Sequence, residues 1–109
     1  MTMWLSTSAQ RYLEGPVTDR KWAAAVAEVS QYWHLCPWQQ ELLEACADEG
    51  IAKAAWCVFR EKALVWASNP ISELDGKTIR ELQRDAVIGK AVKGFLAEQR
   101  PLKLIIIKS

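Results

Sequence analysis

Apolar residues recur along most of the chain at spacings of three and four, the period of an amphipathic helix. Trp22, Val26, Val29 and Trp33 form one such stripe, with Thr18 placed as N-cap and the alanine-rich stretch Ala23 to Ala27 in support, so a helix is predicted from Thr18 to Trp33. A second helix opens on Pro37, turns Trp38, Leu42, Leu43 and Cys46 inward, and is expected to stop at Gly50. A third begins near Ile51 and carries Ile51, Ala55, Val58, Phe59, Ala63 and Trp66 on one broad stripe. Asn69-Pro70 ends it, Asp75-Gly76 supplies a turn, and Thr78 with Glu81 three residues on forms a capping box. A short helix from Ile79 to Arg84 follows, then a longer one from Ala86 to Gln99 with Ile88, Val92 and Phe95 inward. Ser6 to Ser8 ahead of Ala9 to Leu13 allow a short first helix, punctuated by Glu14-Gly15-Pro16. The fold class is mainly α, a compact bundle of about five to six helices.

The pattern changes at the end of the chain. Leu104 to Ile107 are consecutive aliphatic residues with strong strand preference, which predicts a short extended, strand-like C-terminal tail. A lone strand in a helical protein has no sheet to join. It needs the rest of the bundle, the same tail of a second subunit, or the sheet or cleft of another protein. In the last case Leu104, Ile105, Ile106 and Ile107 supply apolar contacts, and Arg100, Lys103 and Lys108 cationic ones.

Between Val58 and Leu96, landmark residues follow in a fixed order: Val58-Phe59, Ala63-Leu64-Val65-Trp66, Asn69-Pro70, Leu74, Gly76-Lys77-Thr78, Glu81-Leu82, Gly89, and Val92 to Leu96. Their order and spacing resemble the C-terminal toxin-binding domain of the Xre, MbcA and ParS antitoxins, over residues 51 to 100. Two positions depart from that family: Ile79 stands where it usually has Pro, and Asp75-Gly76 where it has Gly-Gly. Both changes are mild, since Pro at the first helical position is favourable but dispensable and Asp-Gly turns as readily as Gly-Gly. The resemblance implies a cytoplasmic antitoxin of a type II toxin-antitoxin system. It would neutralise a cognate toxin of the RES class, which consumes NAD, by direct binding and occlusion of the active site. NAD is then the toxin's ligand, and this chain has no cofactor. The resemblance also divides the chain into an N-terminal helical region, 1–50, for dimerisation or a degenerate DNA-binding role, and a toxin-binding region with its tail, 51–109. The expected assembly is a homodimer or a larger toxin-antitoxin complex.

Charge and candidate chemistry narrow the alternatives. The formal net charge is +1, with basic residues dispersed, so the footprint of a protein that lives on nucleic acid or anionic lipid is missing. The best helix-turn-helix candidate puts Cys46 and Gly50 at the turn and Ala52 to Glu61 as recognition helix, yet offers bases and phosphates only Lys53 and Arg60. A DNA-binding autorepressor is the less favoured reading and needs Arg11, Arg20, Lys21, Lys53 and Arg60 on one face of a dimer. A small inhibitor of an unrelated host enzyme, encoded by a mobile element, is a further alternative.

Enzymatic chemistry is not expected. Cys36, Cys46 and Cys57 lack paired metal-ligand spacing and read as buried apolar residues. His34, the sole histidine, reads as a helix C-terminal residue. Gly76-Lys77-Thr78 is only the end of a phosphate loop, because Ile71 stands where its first glycine belongs. No apolar run approaches the roughly 20 residues of a membrane span, so a cytoplasmic protein without membrane contact is expected. Of the six tryptophans, Trp22, Trp33 and Trp66 fall on inward stripes, Trp4 and Trp38 sit at element ends, and Trp56 is surplus to a helix already apolar nearly all round. That surplus predicts a dimer or partner contact at Trp56.

Overall fold

The computed structural model describes residues 5–13 and 18–108, so Trp4 and the punctuation at Glu14-Gly15-Pro16 lie outside the described residues. The helices follow in the order α1 (Thr7–Gln10), α2 (Asp19–Val29), α3 (Gln39–Cys46), α4 (Glu49–Phe59), α5 (Ala63–Ser68), α6 (Ile79–Leu82), α7 (Ala86–Ala97) and α8 (Leu102–Lys108). Short 3-10 turns at Ser30–Leu35, Arg60–Lys62 and Ser72–Leu74 join them. This is the mainly α bundle predicted. Among the described residues the only extended pairing is a single antiparallel bridge between Ile71 and Lys77.

Helix α4 forms the axis of the bundle, with α2, α3, α5, α7 and α8 packed around it. Ile51, Ala52, Ala54, Ala55, Trp56 and Cys57 are all buried, and one hydrophobic cluster runs from Leu5 to Ile106 through both halves of the chain. The small residues Gly50, Ala52, Ala54, Ala55 and Cys57 let the five neighbours of α4 approach closely. Caps fix the starts of the helices: the Thr18 hydroxyl accepts the Lys21 N–H at 3.2 Å, Asp48 the Ile51 N–H at 2.9 Å, and Asp85 the N–H groups of Val87 and Ile88 at 2.8 and 3.2 Å. The Thr78 and Glu81 capping box forms as predicted.

Several expectations are corrected. Helix α3 ends at Cys46 with Ala47 in the left-handed conformation (φ 55°), and Gly50 lies inside α4 rather than stopping α3. The cap at Asp48 starts α4 two residues earlier than the glycine signal suggested. The single helix expected from Ile51 to Trp66 is broken at Arg60, whose φ of 51° and ψ of −119° belong to a glycine-type region. Such backbone costs of order 1–3 kcal/mol in a residue with a Cβ. The bend brings α5 back so that Trp66 stacks on Phe59 at 4.6 Å and on Phe95 at 6.0 Å. In an unbroken helix residues seven apart are about 10 Å apart along the axis and do not stack.

Trp56 is not surplus. It is 6% exposed, its indole N–H donates to the Tyr32 carbonyl at 3.2 Å, and its ring meets the edge of Trp38 at 6.0 Å. A fully surrounded axial helix explains the apolar circumference without a second chain. The same burial disfavours the helix-turn-helix candidate, because Ala52, Ala54, Ala55, Trp56 and Cys57 of its recognition helix occupy the core.

The N-terminal segment is clamped across α7. A Cβ on Gly94 would lie 2.0 Å from the Tyr12 carbonyl oxygen, so only glycine admits this crossing. Tyr12 sets its ring edge on Phe95 at 5.5 Å, and Arg11 pairs with Glu98 at 3.4 Å. Tyr12, Phe95, Trp66 and Phe59 thus form one aromatic series that joins the N-terminus, α7, α5 and α4.

Candidate functional site

The landmark residues build a scaffold, and their local chemistry is visible bond by bond. Asn69 closes α5 by donating its side-chain N–H to the Val65 carbonyl at 2.7 Å, and Pro70 follows on the surface. Ile71 and Lys77 then pair across a turn in which Asp75 (φ 60°) and Gly76 (φ 65°) both take positive φ, where Gly and Asp are the residues that fit. The Thr78 hydroxyl accepts the Glu81 N–H at 3.2 Å while the Glu81 carboxylate accepts the Thr78 N–H at 3.1 Å. Those hydrogen bonds from Thr78 hold the Glu81 carboxyl below its ordinary pKa. Leu74, Leu82, Val92 and Leu96 are fully buried, and Gly89 is buried against Gln83. The motif therefore supplies structure.

Asp75 has a second task, one that no pattern of neighbouring residues announces. Its carboxylate accepts both the N–H (2.7 Å) and the hydroxyl (2.5 Å) of Ser6, which ties the N-terminal segment to the turn. These bonds lower the Asp75 pKa.

The proposed binding residues sit at the end of this scaffold, and their conformation is a correction: residues 102–108 form helix α8, not an extended tail. Pro101 stands at the helix entrance, where its missing N–H does no harm, and its carbonyl accepts the N–H groups of Leu104 and Ile105 at 3.1 and 3.3 Å. Strand propensity is overridden by burial at helical spacing. Leu102 and Ile106, four apart, are buried, and α8 packs on α2, α4 and α7. The sequence carried that signal in Pro101 and in the spacing of Leu102 and Ile106.

The helix divides the predicted contact residues. Ile106 belongs to the core and Ile105 is half-buried against it, so neither is a free contact. Leu104 is 44% and Ile107 67% exposed, three apart on the outer face, and Arg100 and Lys103 are exposed beside them. The Lys108 side chain lies outside the described residues. The outer face of α8 is thus a short aliphatic ridge with cationic neighbours.

Burial raises the pKa of all three cysteines, with Cys46 pushed up to about 12, which keeps the thiols protonated and unreactive. Among the described residues no group of three or more His, Cys, Asp or Glu side chains is placed to hold a metal ion. An open depression of about 410 Å³ between α3, α5 and α6 is lined by Glu41, Glu44, Leu64, Ser68, Thr78 and Arg80. No helix among the described residues is long and apolar enough to cross a membrane. Of the five cations required by a DNA-binding face, Arg11 is paired with Glu98 and Lys53 with Glu49 at 2.7 Å. No family model, curated protein or solved structure matches the chain.

Proposed function

We propose that this protein is a cytoplasmic antitoxin that neutralises a cognate toxin by direct binding and performs no chemistry of its own. The observation that carries the reading is the outer face of α8, where Leu104 and Ile107 stay exposed with Arg100 and Lys103 beside them at the end of the landmark scaffold. Large aliphatic side chains left in water on a packed terminal helix are what a partner surface requires. The order of landmark residues that resembles the Xre, MbcA and ParS antitoxins supplies the partner class: an NAD-consuming toxin of the RES type, blocked by occlusion of its active site. Recognition is by a helix laid into a cleft, with anchors three residues apart. The protein works as a dimer or within a larger toxin-antitoxin assembly.

The test is co-expression with the product of the neighbouring reading frame as the toxin. The native chain is expected to restore growth and to co-purify with the toxin. Leu104→Ser with Ile107→Ser is expected to abolish both while leaving the helical circular dichroism unchanged. If the double variant still rescues growth, α8 is not the toxin contact. Rescue by neither protein, together with capture of a different enzyme through α8, would make the chain an inhibitor of that enzyme instead.

A further inference from the structure

Asp75 and Gly76 form a pair whose intrinsic reactivity the fold holds in check. An aspartate before glycine is open to ring closure, because the next backbone nitrogen can reach the side-chain carboxyl carbon and no Cβ restricts its approach. The chain has four aspartates, and only Asp75 precedes glycine. Asp19, Asp48 and Asp85 precede Arg20, Glu49 and Ala86 at the starts of α2, α4 and α7. The sole asparagine, Asn69, precedes Pro70, whose nitrogen has no hydrogen to give up. Asp75 and Gly76 are both exposed, and a Cβ on Gly76 would meet no atom within 4 Å.

Both reacting groups are engaged in the folded chain, by bonds of different origin. The Gly76 N–H donates to the Ile71 carbonyl at 2.9 Å, within the turn. The two Asp75 carboxylate oxygens accept the N–H of Ser6 at 2.7 Å and its hydroxyl at 2.5 Å, one each, from a segment 69 residues away. Ring closure needs the carboxyl carbon to swing onto the Gly76 nitrogen and one carboxyl oxygen to leave. While Ser6 holds both oxygens neither movement is open, and its donors keep the carboxyl in the ionised form, from which oxygen leaves least readily. Ser6 to Asp75 and Arg11 to Glu98 attach the segment at the surface, the class of contact that opens locally at least cost.

We propose that Asp75-Gly76 is a modification site, converted to isoaspartate through a cyclic imide whenever the segment carrying Ser6 lifts, so that Ser6 acts as its guard. The Gly76 nitrogen attacks the Asp75 carboxyl carbon: a C–N bond forms, the nitrogen gives up its proton, and one carboxyl oxygen leaves as water. Water then adds to either imide carbonyl. Opening at the side-chain carbonyl restores aspartate, and opening at the main-chain carbonyl leaves the chain running through Cβ and Cγ. The water lost is regained, so mass is unchanged and no oxidant or cofactor takes part. Isoaspartate puts one more carbon into the main chain between Ile71 and Lys77, whose bridge spans this turn, and moves the free carboxylate onto Cα, away from Ser6. The segment then cannot regain its anchor, and an opening that is otherwise reversible becomes fixed. The inference is independent of α8 and of the antitoxin reading.

The experiment incubates the full chain at neutral pH with reductant and follows the tryptic peptide Ala63 to Lys77 over time. Isoaspartate shifts its chromatographic retention at constant mass and makes it a substrate for an isoaspartyl carboxyl methyltransferase. The native chain in urea gives the unguarded rate, and the folded native chain is expected to convert about tenfold or more slowly. Ser6→Ala is expected to convert several-fold faster than the native chain, and Ser6→Thr, which keeps the hydroxyl, at the native rate. Thr18→Ala, which loses a cap on α2 and lowers the melting temperature without touching Ser6, is expected to keep the native rate, a split that general loosening would not produce. Conversion of Ser6→Ala at the native rate, equal acceleration in Thr18→Ala, a folded chain as fast as the unfolded one, or no isoaspartate at Asp75 in urea would each overturn the proposal.

Discussion

The backbone course of the turn segment from Asn69 to Leu82 is set by hydrogen bonds between residues close in sequence, although its apolar side chains reach the core, whereas the course of α8 is set by packing against distant parts of the chain. In the first, Asn69 bonds back to Val65, Ile71 pairs with Lys77, and Thr78 and Glu81 cap one another, all within six residues. In the second, the residues that decide the conformation are Leu102 and Ile106, and what they touch lies on α2, α4 and α7. The consequence is a difference in how each is encoded. A self-contained turn advertises its chemistry in consecutive residues, while a docked helix advertises only its spacing. Four aliphatic residues in a row look like a strand until the neighbours that select every fourth one are known.

The strongest way to break the comparison is to empty the inner face of α8. Leu102→Ala should cost about 2–5 kcal/mol, the usual range for a buried leucine, which is a large part of the 5–15 kcal/mol typical of a whole domain. Urea unfolding followed by circular dichroism measures it. A loss below about 0.5 kcal/mol, the scale of an ordinary surface change, would mean that α8 is not packed against the body.

The same contrast explains what could be read from the sequence and what could not. Asn69-Pro70, Asp75-Gly76 and the Thr78 and Glu81 box were all legible, because each device is complete in a few adjacent residues. Helix α2 was legible from its period and its cap at Thr18, and α7 from its period; the expected run of α2 to Trp33 is cut at Val29, where a 3-10 turn takes over. The joints at Ala47 and Arg60 were not, since both take positive φ without glycine and are held there by packing of the helices they join. Trp56 looks like an interface residue from sequence because hydrophobic periodicity does not distinguish an axial helix with five neighbours from one shared with another chain. Of the candidate site, the residues were found but not their orientation: Leu104 and Ile107 point out, while Ile106 points in.

A smaller effect is expected where the turn segment is disturbed. Thr78→Ala removes one half of the capping box and should cost about 1 kcal/mol. Acid should act on the same region. Asp75 and Glu81 have carboxyls held below their ordinary pKa by Ser6 and Thr78 respectively, so their contribution is fully present above an unfolded-state value of about 4 and is lost as pH falls through the folded value. Both groups are largely in water, which keeps the effect modest. Asp75→Asn preserves a residue that tolerates positive φ but cannot ionise. Its melting temperature should therefore fall less than that of the native chain between pH 7 and pH 3, and an identical fall would mean that the Ser6 contact contributes nothing.

The smallest effect on stability should come from the outer face of α8, and it sharpens the comparison most. Leu104→Ser with Ile107→Ser replaces two exposed aliphatic side chains on the same short helix whose inner pair carries the fold. Neither residue is in the buried core, so unfolding free energy should move by no more than about 0.5 kcal/mol per site. Leu102→Ser with Ile106→Ser makes the same chemical change one face away and should unfold the domain, because two hydroxyls would then be buried where two aliphatic groups had excluded water. Removing residues 102 to 109 altogether cannot separate these roles, since it takes both faces at once. The two double variants can. If the outer pair proves as costly as the inner, α8 is buried on both faces in the folded protein, as it would be in the core of a dimer, and its availability to a toxin is lost.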